Sequence, residues 1–261
     1  MRLLFIGDIV GKPGTIAVKG ILPALVSEYN PEFVIANAEN AANGVGVTRK
    51  IALELLDSPI DILTSGNHIW DKKSIISFMK KEHRLLRPAN FPDGVPGKGS
   101  IVAEAASGEK VGILNLSGRV FMQALDCPFN TAKREVEVLK NETEIIIVDM
   151  HAEATSEKIA MGLMLDGKVS AVLGTHTHVQ TADEKILPGG TAYITDVGMT
   201  GASDSVIGVK KEIAIKRFLT GINFSFKVAE KEINLNGVYL ETNTESGKAI
   251  DIKRIQKKLN T

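Results

Sequence analysis

Five short apolar runs, each stopping on a residue able to bind a metal ion, constrain this chain more than any other feature. Residues 3–6 run into Gly7-Asp8, residues 33–37 into Ala38-Glu39-Asn40, and residues 60–64 into Ser65-Gly66-Asn67-His68. Residues 144–148 lead to Asp149-Met150-His151, and residues 169–173 lead to Gly174-Thr175-His176-Thr177-His178. Runs of this length bounded by turn signals read as buried strands. Helical patterns separate them. One spans about 15–29, kinked at Pro23. A second is opened by Thr48 as an N-cap, and others cover about 73–81, 131–140 and 156–165. Helix-linked strands predict an α/β layering, whose ligand crevice lies outside the C-terminal ends of the strands.

The remaining segments are less regular. Pro and Gly between Arg87 and Gly99 predict irregular loop, and residues 100–106 and 110–116 predict a hairpin across Ser107-Gly108-Glu109. Beyond Thr181, hairpins are expected over 186–194, turning on Pro188-Gly189-Gly190, and then over 223–228, 232–241 and 248–255. A helix-like stretch near 209–219 interrupts them. The expectation is an α/β (α+β layered) fold of residues 1–261 as a single domain, with a mixed central sheet flanked by helices and a second sheet built from the tail. A chain of 261 residues can bury such a core. Lys plus Arg (31) balances Asp plus Glu (31), so no long-range field draws the chain to long nucleic acid or membrane. Lys253-Arg254 and Lys257-Lys258 read as a solvated tail. The single cysteine, Cys127, fits a reducing compartment, and the first apolar run is too short for a signal peptide, so a cytoplasmic protein is expected.

Each strand-end residue has an ordinary explanation. Asp8 could cap a turn, Glu39 could be a surface charge, Asn67 could hold a left-handed turn, and His151 could be a core histidine. Four of the five histidines at strand ends, together with carboxylates at two more, are better explained by a metal centre. His83, after a Lys-rich helix end, reads as surface. Imidazole, carboxylate and amide oxygen without thiolate suit manganese, iron or zinc rather than a sulfur-rich structural zinc. Asp8, Glu39, Asn40, Asn67, His151, His176 and His178 are more ligands than one ion accepts. They suit two ions sharing a bridge, for which Glu39 is the choice. Two such cations can lower the pKa of a bound water.

The order Gly-Asp, carboxylate-Asn, Gly-Asn-His, His, Gly-x-His-x-His resembles the calcineurin-like metallophosphoesterase superfamily and implies its fold. Two departures, Val10 where that superfamily has histidine and Glu39 where it has aspartate, match the YmdB-type bacterial phosphodiesterases. The similarity covers nearly the whole chain. It includes Gly7-Asp8-Ile9-Val10-Gly11, Asn37-Ala38-Glu39-Asn40, and the run from His151-Ala152-Glu153-Ala154 to Asp196-Val197-Gly198-Met199-Thr200-Gly201. The resemblance implies one ion on Asp8, Glu39, Asn40 and His178, with Asn40 replacing the absent histidine. It implies a second ion on Glu39, Asn67, His151 and His176, with His68 as general acid. It also implies iron or manganese ahead of zinc, and hydrolysis of 2′,3′-cyclic nucleotides at the 2′ bond to give the 3′-nucleotide. The alternatives are a phosphomonoesterase or protein phosphatase on the same metals, or a regulatory protein-binding scaffold with residual activity. Arg119 and Phe121 are candidate contacts for phosphate and base, and Asn43, Asn90 and Asp196 are similar candidates. Gly44 and Gly46 read as easing a tight loop. The expected partner is a small phosphodiester, and an assembly of copies through the β-rich tail is left open.

Overall fold

The computed structural model describes residues 1–259. One sheet contains β1 (Arg2–Ile6), β2 (Asp8–Ile9), β3 (Phe33–Asn37), β4 (Ile62–Thr64), β11 (Met199–Ala202), β12 (Ile233–Thr242) and β13 (Ala249–Lys258). Its order is β2-β11-β12-β1-β3-β4, with β13 also pairing with β12. The second contains β5 (Ser100–Glu104), β6 (Lys110–Ser117), β7 (Ile146–His151), β8 (Ala171–Thr175), β9 (Lys185–Ile186) and β10 (Ala192–Ile194), ordered β5-β6-β7-β8-β10-β9. The helices are α1 (Gly11–Tyr29), α2 (Arg49–Leu56), α3 (Ser74–Met79), α4 (Pro128–Lys140), α5 (Thr155–Leu165) and α6 (Lys211–Thr220).

The period-two alternation of each strand sorts its residues between layers. Leu4 and Ile6 of β1 pack toward α1, whereas Leu3 and Phe5 join Ile35, Ile62, Ile113, Ile147 and Leu173 between the two sheets. Val148 and Met150 of β7 and Val172 of β8 face the other way, onto Val136 of α4 and Met161 of α5. The result is a helix–sheet–sheet–helix sandwich. Both sheets contribute to the central apolar layer, so neither has a complete interior alone. No helix among the described residues is long and apolar enough to cross a membrane.

Most expected elements form. Thr48 caps α2 by accepting from the Ile51 N–H at 3.3 Å, and β5 and β6 pair antiparallel as the expected hairpin. Helix α1 starts earlier than expected, at Gly11, and runs on through Pro23 to a left-handed Asn30. Three expectations for the tail fail. Its long strands do not make a separate sheet: β12 pairs antiparallel with β1, from Arg2↔Glu241 to Ile6↔Gly237, and completes the N-terminal sheet. That pairing supplies the hydrogen bonds that β1, with β3 on its other side, would otherwise lack. Residues 223–228 are irregular instead of a strand, and the strand β11 has no counterpart in the expected pattern. The basic cluster is not a tail either. It lies on β13, an edge strand, where lysines discourage further pairing. Lys257 and Arg254 are also held by Glu28 and Glu184.

Candidate metal centre

Because β3, β4, β7 and β8 run parallel to their neighbours, their C-terminal ends open on one edge of the sandwich. Along these strands the inward positions change from apolar to polar toward that edge: Ile35 to Asn37, Ile62 to Thr64, Ile147 to Asp149 and His151, Leu173 to Thr175. The chain then turns and presents the residues expected at the site. His151 Nε2 lies 3.0 Å from Glu39 Oε1, 3.2 Å from Asn67 Oδ1 and 3.0 Å from His176 Nδ1. Beside this group, Asn40 Nδ2 donates to Glu39 Oε1 at 3.1 Å and lies 3.1 Å from His178 Nε2. His178 Nε2 is 3.9 Å from Asp8 Oδ1. Glu39 is common to both groups. Thus the seven proposed ligands, drawn from both sheets, come together as two sets sharing one carboxylate.

Asp8, Glu39 and His151 are fully buried. Two buried oxygens, Asp8 Oδ1 and Asn40 Oδ1, have no hydrogen-bond donor. An orphaned buried acceptor is costly unless a cation or water meets it, and Glu39, His151 and His176 bring ligand atoms within 4.8 Å of one another. The donor set therefore fits metal ions.

Without a metal the charges pair internally. Burial pushes the Asp8 carboxyl up to about 6 despite His178 and His151. Burial also opposes the charges on Glu39 and His151. Their mutual attraction and hydrogen bond prevail, holding Glu39 down at about 2 and His151 up at about 9. Burial and the positive His151 ring press His176 down to about 3. Nδ1 of His178 donates to Ile207 O at 2.9 Å, which leaves Nε2 facing Asn40 and Asp8. His68, half-exposed, places Nδ1 2.8 Å from Asp71 Oδ2, and its backbone N–H donates to Glu39 Oε2.

Several residues that support this cluster carry no functional signal in the sequence. Gly66 is required sterically, since a Cβ there would sit 2.1 Å from His151 Cδ2 and 2.3 Å from Glu39 Oε2. His176 and His178 both adopt left-handed backbone, with φ of 96° and 65°. The Thr177 between them donates its N–H and Oγ1–H to Asp196 Oδ2, which also pairs with the fully buried Lys158 at 2.7 Å. Asp196, a weak candidate for substrate contact on sequence grounds, is thus a brace for the His-x-His turn. Asn90 is another brace, bonded to Ser117 and Asp126. Asn43 occupies an exposed left-handed turn, next to Gly44 and Gly46, whose φ values of 83° and 75° are those of a tight loop. His83 is exposed at the surface, as expected. Arg119 and Phe121 lie on the loop leaving β6, whose last residue, Ser117, pairs beside His151. Phe121 is 91 % exposed, and the Arg119 and Val120 N–H groups donate to Glu157.

Stacked mixed sheets flanked by helices, with these side chains gathered at the strand ends, define a calcineurin-like metallophosphoesterase. The chain belongs to the YmdB-like protein family, whose model matches residues 4–255. It is 51 % identical over 255 residues to a 2′,3′-cyclic-nucleotide 2′-phosphodiesterase of Bacillus subtilis, covering 98 % of this chain and 96 % of that one. A crystal structure of a hypothetical protein from Thermus thermophilus superposes with a TM-score of 0.93 at 42 % identity, covering 100 % of both chains. Another, described as a novel phosphatase from Mycoplasma pneumoniae, gives 0.91 at 36 % identity, covering 99 % of this chain and 93 % of that one.

Proposed function

We propose that this protein is a metal-dependent phosphodiesterase that opens the 2′ ester of 2′,3′-cyclic nucleotides and leaves the 3′-nucleotide. The observation that carries the reading is the Bacillus relative of that name, 51 % identical along 98 % of the chain. The two buried, donorless oxygens at the cluster support the metal requirement. Asp8, Glu39, Asn40 and His178 would hold one ion, and Glu39, Asn67, His151 and His176 the other. The thiolate-free ligand set suits manganese, iron or zinc, and the family resemblance puts iron or manganese first. When bound, such cations supply charge to offset the phosphoryl oxygens and acidity to a water.

The chain's own residues do the rest. Hydrolysis adds water at phosphorus, breaks the P–O2′ bond and places a proton on O2′. His68 is the residue offered for that proton. Asp71 Oδ2, 2.8 Å from Nδ1, orients the ring so that Nε2 is the nitrogen left to deliver the proton. The Glu39 contact to the His68 N–H ties this acid to the metal cluster. Arg119 and Phe121, on the loop above the β7 end, are offered to a phosphate oxygen and a stacked base.

The test is to load the protein with manganese or iron, add 2′,3′-cyclic AMP and separate the products. Release of 3′-AMP is expected. Appearance of 2′-AMP would overturn the leaving-group assignment, and no product from metal-replete protein would overturn the substrate class. Because the Mycoplasma pneumoniae neighbour is described as a phosphatase, a phosphomonoester is the comparison substrate.

A further inference from the structure

Asp149 is a fully buried acid near the cluster that takes no part in it. Its side chain is 0 % exposed between the two sheets. Oδ1 accepts from Thr175 Oγ1 at 2.6 Å, and Oδ2 accepts from Thr64 Oγ1 at 2.6 Å and from Asn37 Nδ2 at 3.0 Å. Each partner sits on a strand that ends at a proposed ligand: Asn37 before Glu39, Thr64 before Asn67, Thr175 before His176, and Asp149 itself before His151. One carboxylate therefore ties β3 and β4 of one sheet to β7 and β8 of the other, directly beneath the cluster.

The directions of these bonds matter more than their number. A threonine hydroxyl has one proton. With that proton given to Asp149, Thr175 Oγ1 can only accept from His151 Nδ1, which lies 2.9 Å away. The proton that His151 keeps when it binds a metal is therefore the one on Nδ1, and the Nε2 lone pair is then the one turned toward Glu39, Asn67 and His176. On Asn37 the same logic applies. Its Nδ2 donates to Asp149, so Oδ1 is left to accept from the Glu39 N–H at 3.1 Å. We infer that Asp149, acting through Thr175 and Asn37, is a positioning residue that fixes the metal-ready tautomer of His151 and the seating of Glu39. This rests on the metal-centre reading above and extends it to a layer of residues that contact no substrate. Partners of this kind tune metal affinity because they set which nitrogen is free and where it points.

Asp149→Asn keeps the shape but offers an N–H where an acceptor stood. Thr64 and Asn37 both need the remaining oxygen, so the new N–H falls to Thr175. The Thr175 hydroxyl must then turn and donate to His151 Nδ1, which forces the ring proton onto Nε2. The same exchange behind a catalytic histidine produces the wrong tautomer.

The experiment measures Mn²⁺ binding to wild type, Asp149→Asn, Thr175→Val and Thr175→Ser by calorimetry at one pH, with denaturant unfolding of each metal-free protein beside it. Wild type should take up two ions. Asp149→Asn and Thr175→Val should bind one of them roughly 10–100-fold more weakly, the usual cost of losing such a partner. Thr175→Ser keeps the hydroxyl and should bind as wild type does. A merely structural role would lower the unfolding midpoints without a site-selective loss. If Asp149→Asn does not fold, the Thr175→Val and Thr175→Ser pair decides. Folded Thr175→Val binding both ions as tightly as wild type would overturn the inference. Wild type taking up no Mn²⁺ would instead overturn the metal-centre reading beneath it.

Discussion

Gly66→Ala is the sharpest test of how this site is assembled, because the change adds one methyl group and no charge. Gly66 has no left-handed φ, so backbone strain does not enter. The added carbon would lie 2.2 Å from His151 Nε2 and 2.3 Å from Glu39 Oε2. Ordinary contact lies near 3.5 Å, so both side chains must retreat by about 1 Å. Neither has free space. His151 is held by Thr175, and Glu39 by the His68 N–H. Overpacking of this size costs about 1–3 kcal/mol of stability, which a chain of this length survives. A displacement of about 1 Å at reacting groups costs on the order of 100-fold in rate. The variant should therefore fold, bind metal poorly and lose at least two orders of magnitude in turnover of 2′,3′-cyclic AMP. Metal analysis, circular dichroism and a product assay on the same preparation check all three. Wild-type metal content together with turnover within about threefold of wild type would refute the steric argument.

Other outcomes follow from the same geometry. His68→Ala should retain both metals and lose roughly 10²–10⁴ in turnover, and undiminished turnover in the metal-replete variant would remove His68 from the chemistry. Metal uptake should release protons. His151, held up at about 9, is protonated below that pH and must give up its Nε2 proton to act as a ligand. Apparent affinity should thus fall as pH drops below about 9, and a pH-independent affinity with no proton release in weakly buffered calorimetry would contradict this. Lys158→Met strands the buried Asp196 carboxylate beneath the His-x-His turn. It should cost about 3–5 kcal/mol in denaturant unfolding, as broken buried pairs do, and a loss below about 1 kcal/mol would show that water replaces the lysine.

The sequence by itself determined which side chains are offered at the site and most of its local frame. His176 and His178 two positions apart, Asn67-His68 after a glycine, and His151 after the most apolar strand are local patterns, and local patterns survive folding. The Thr48 cap, the α4 and α5 helices and the β5–β6 hairpin were legible for the same reason: each is specified by residues a few positions apart. What only the tertiary structure decided depends on contacts between distant segments. The pairing of β12 with β1 joins residues as far apart as Arg2 and Glu241, and nothing local distinguishes it from a separate tail sheet. Gly66 reads as a turn residue until His151 and Glu39 are seen against it. Asp149 reads as one more polar residue at a strand end, because the Asn37 amide that it accepts from lies 112 positions earlier in the chain. Side-chain type sets which atoms can bind a metal. Strand alternation and sheet stacking set which of those atoms meet, and which buried groups hold them in place.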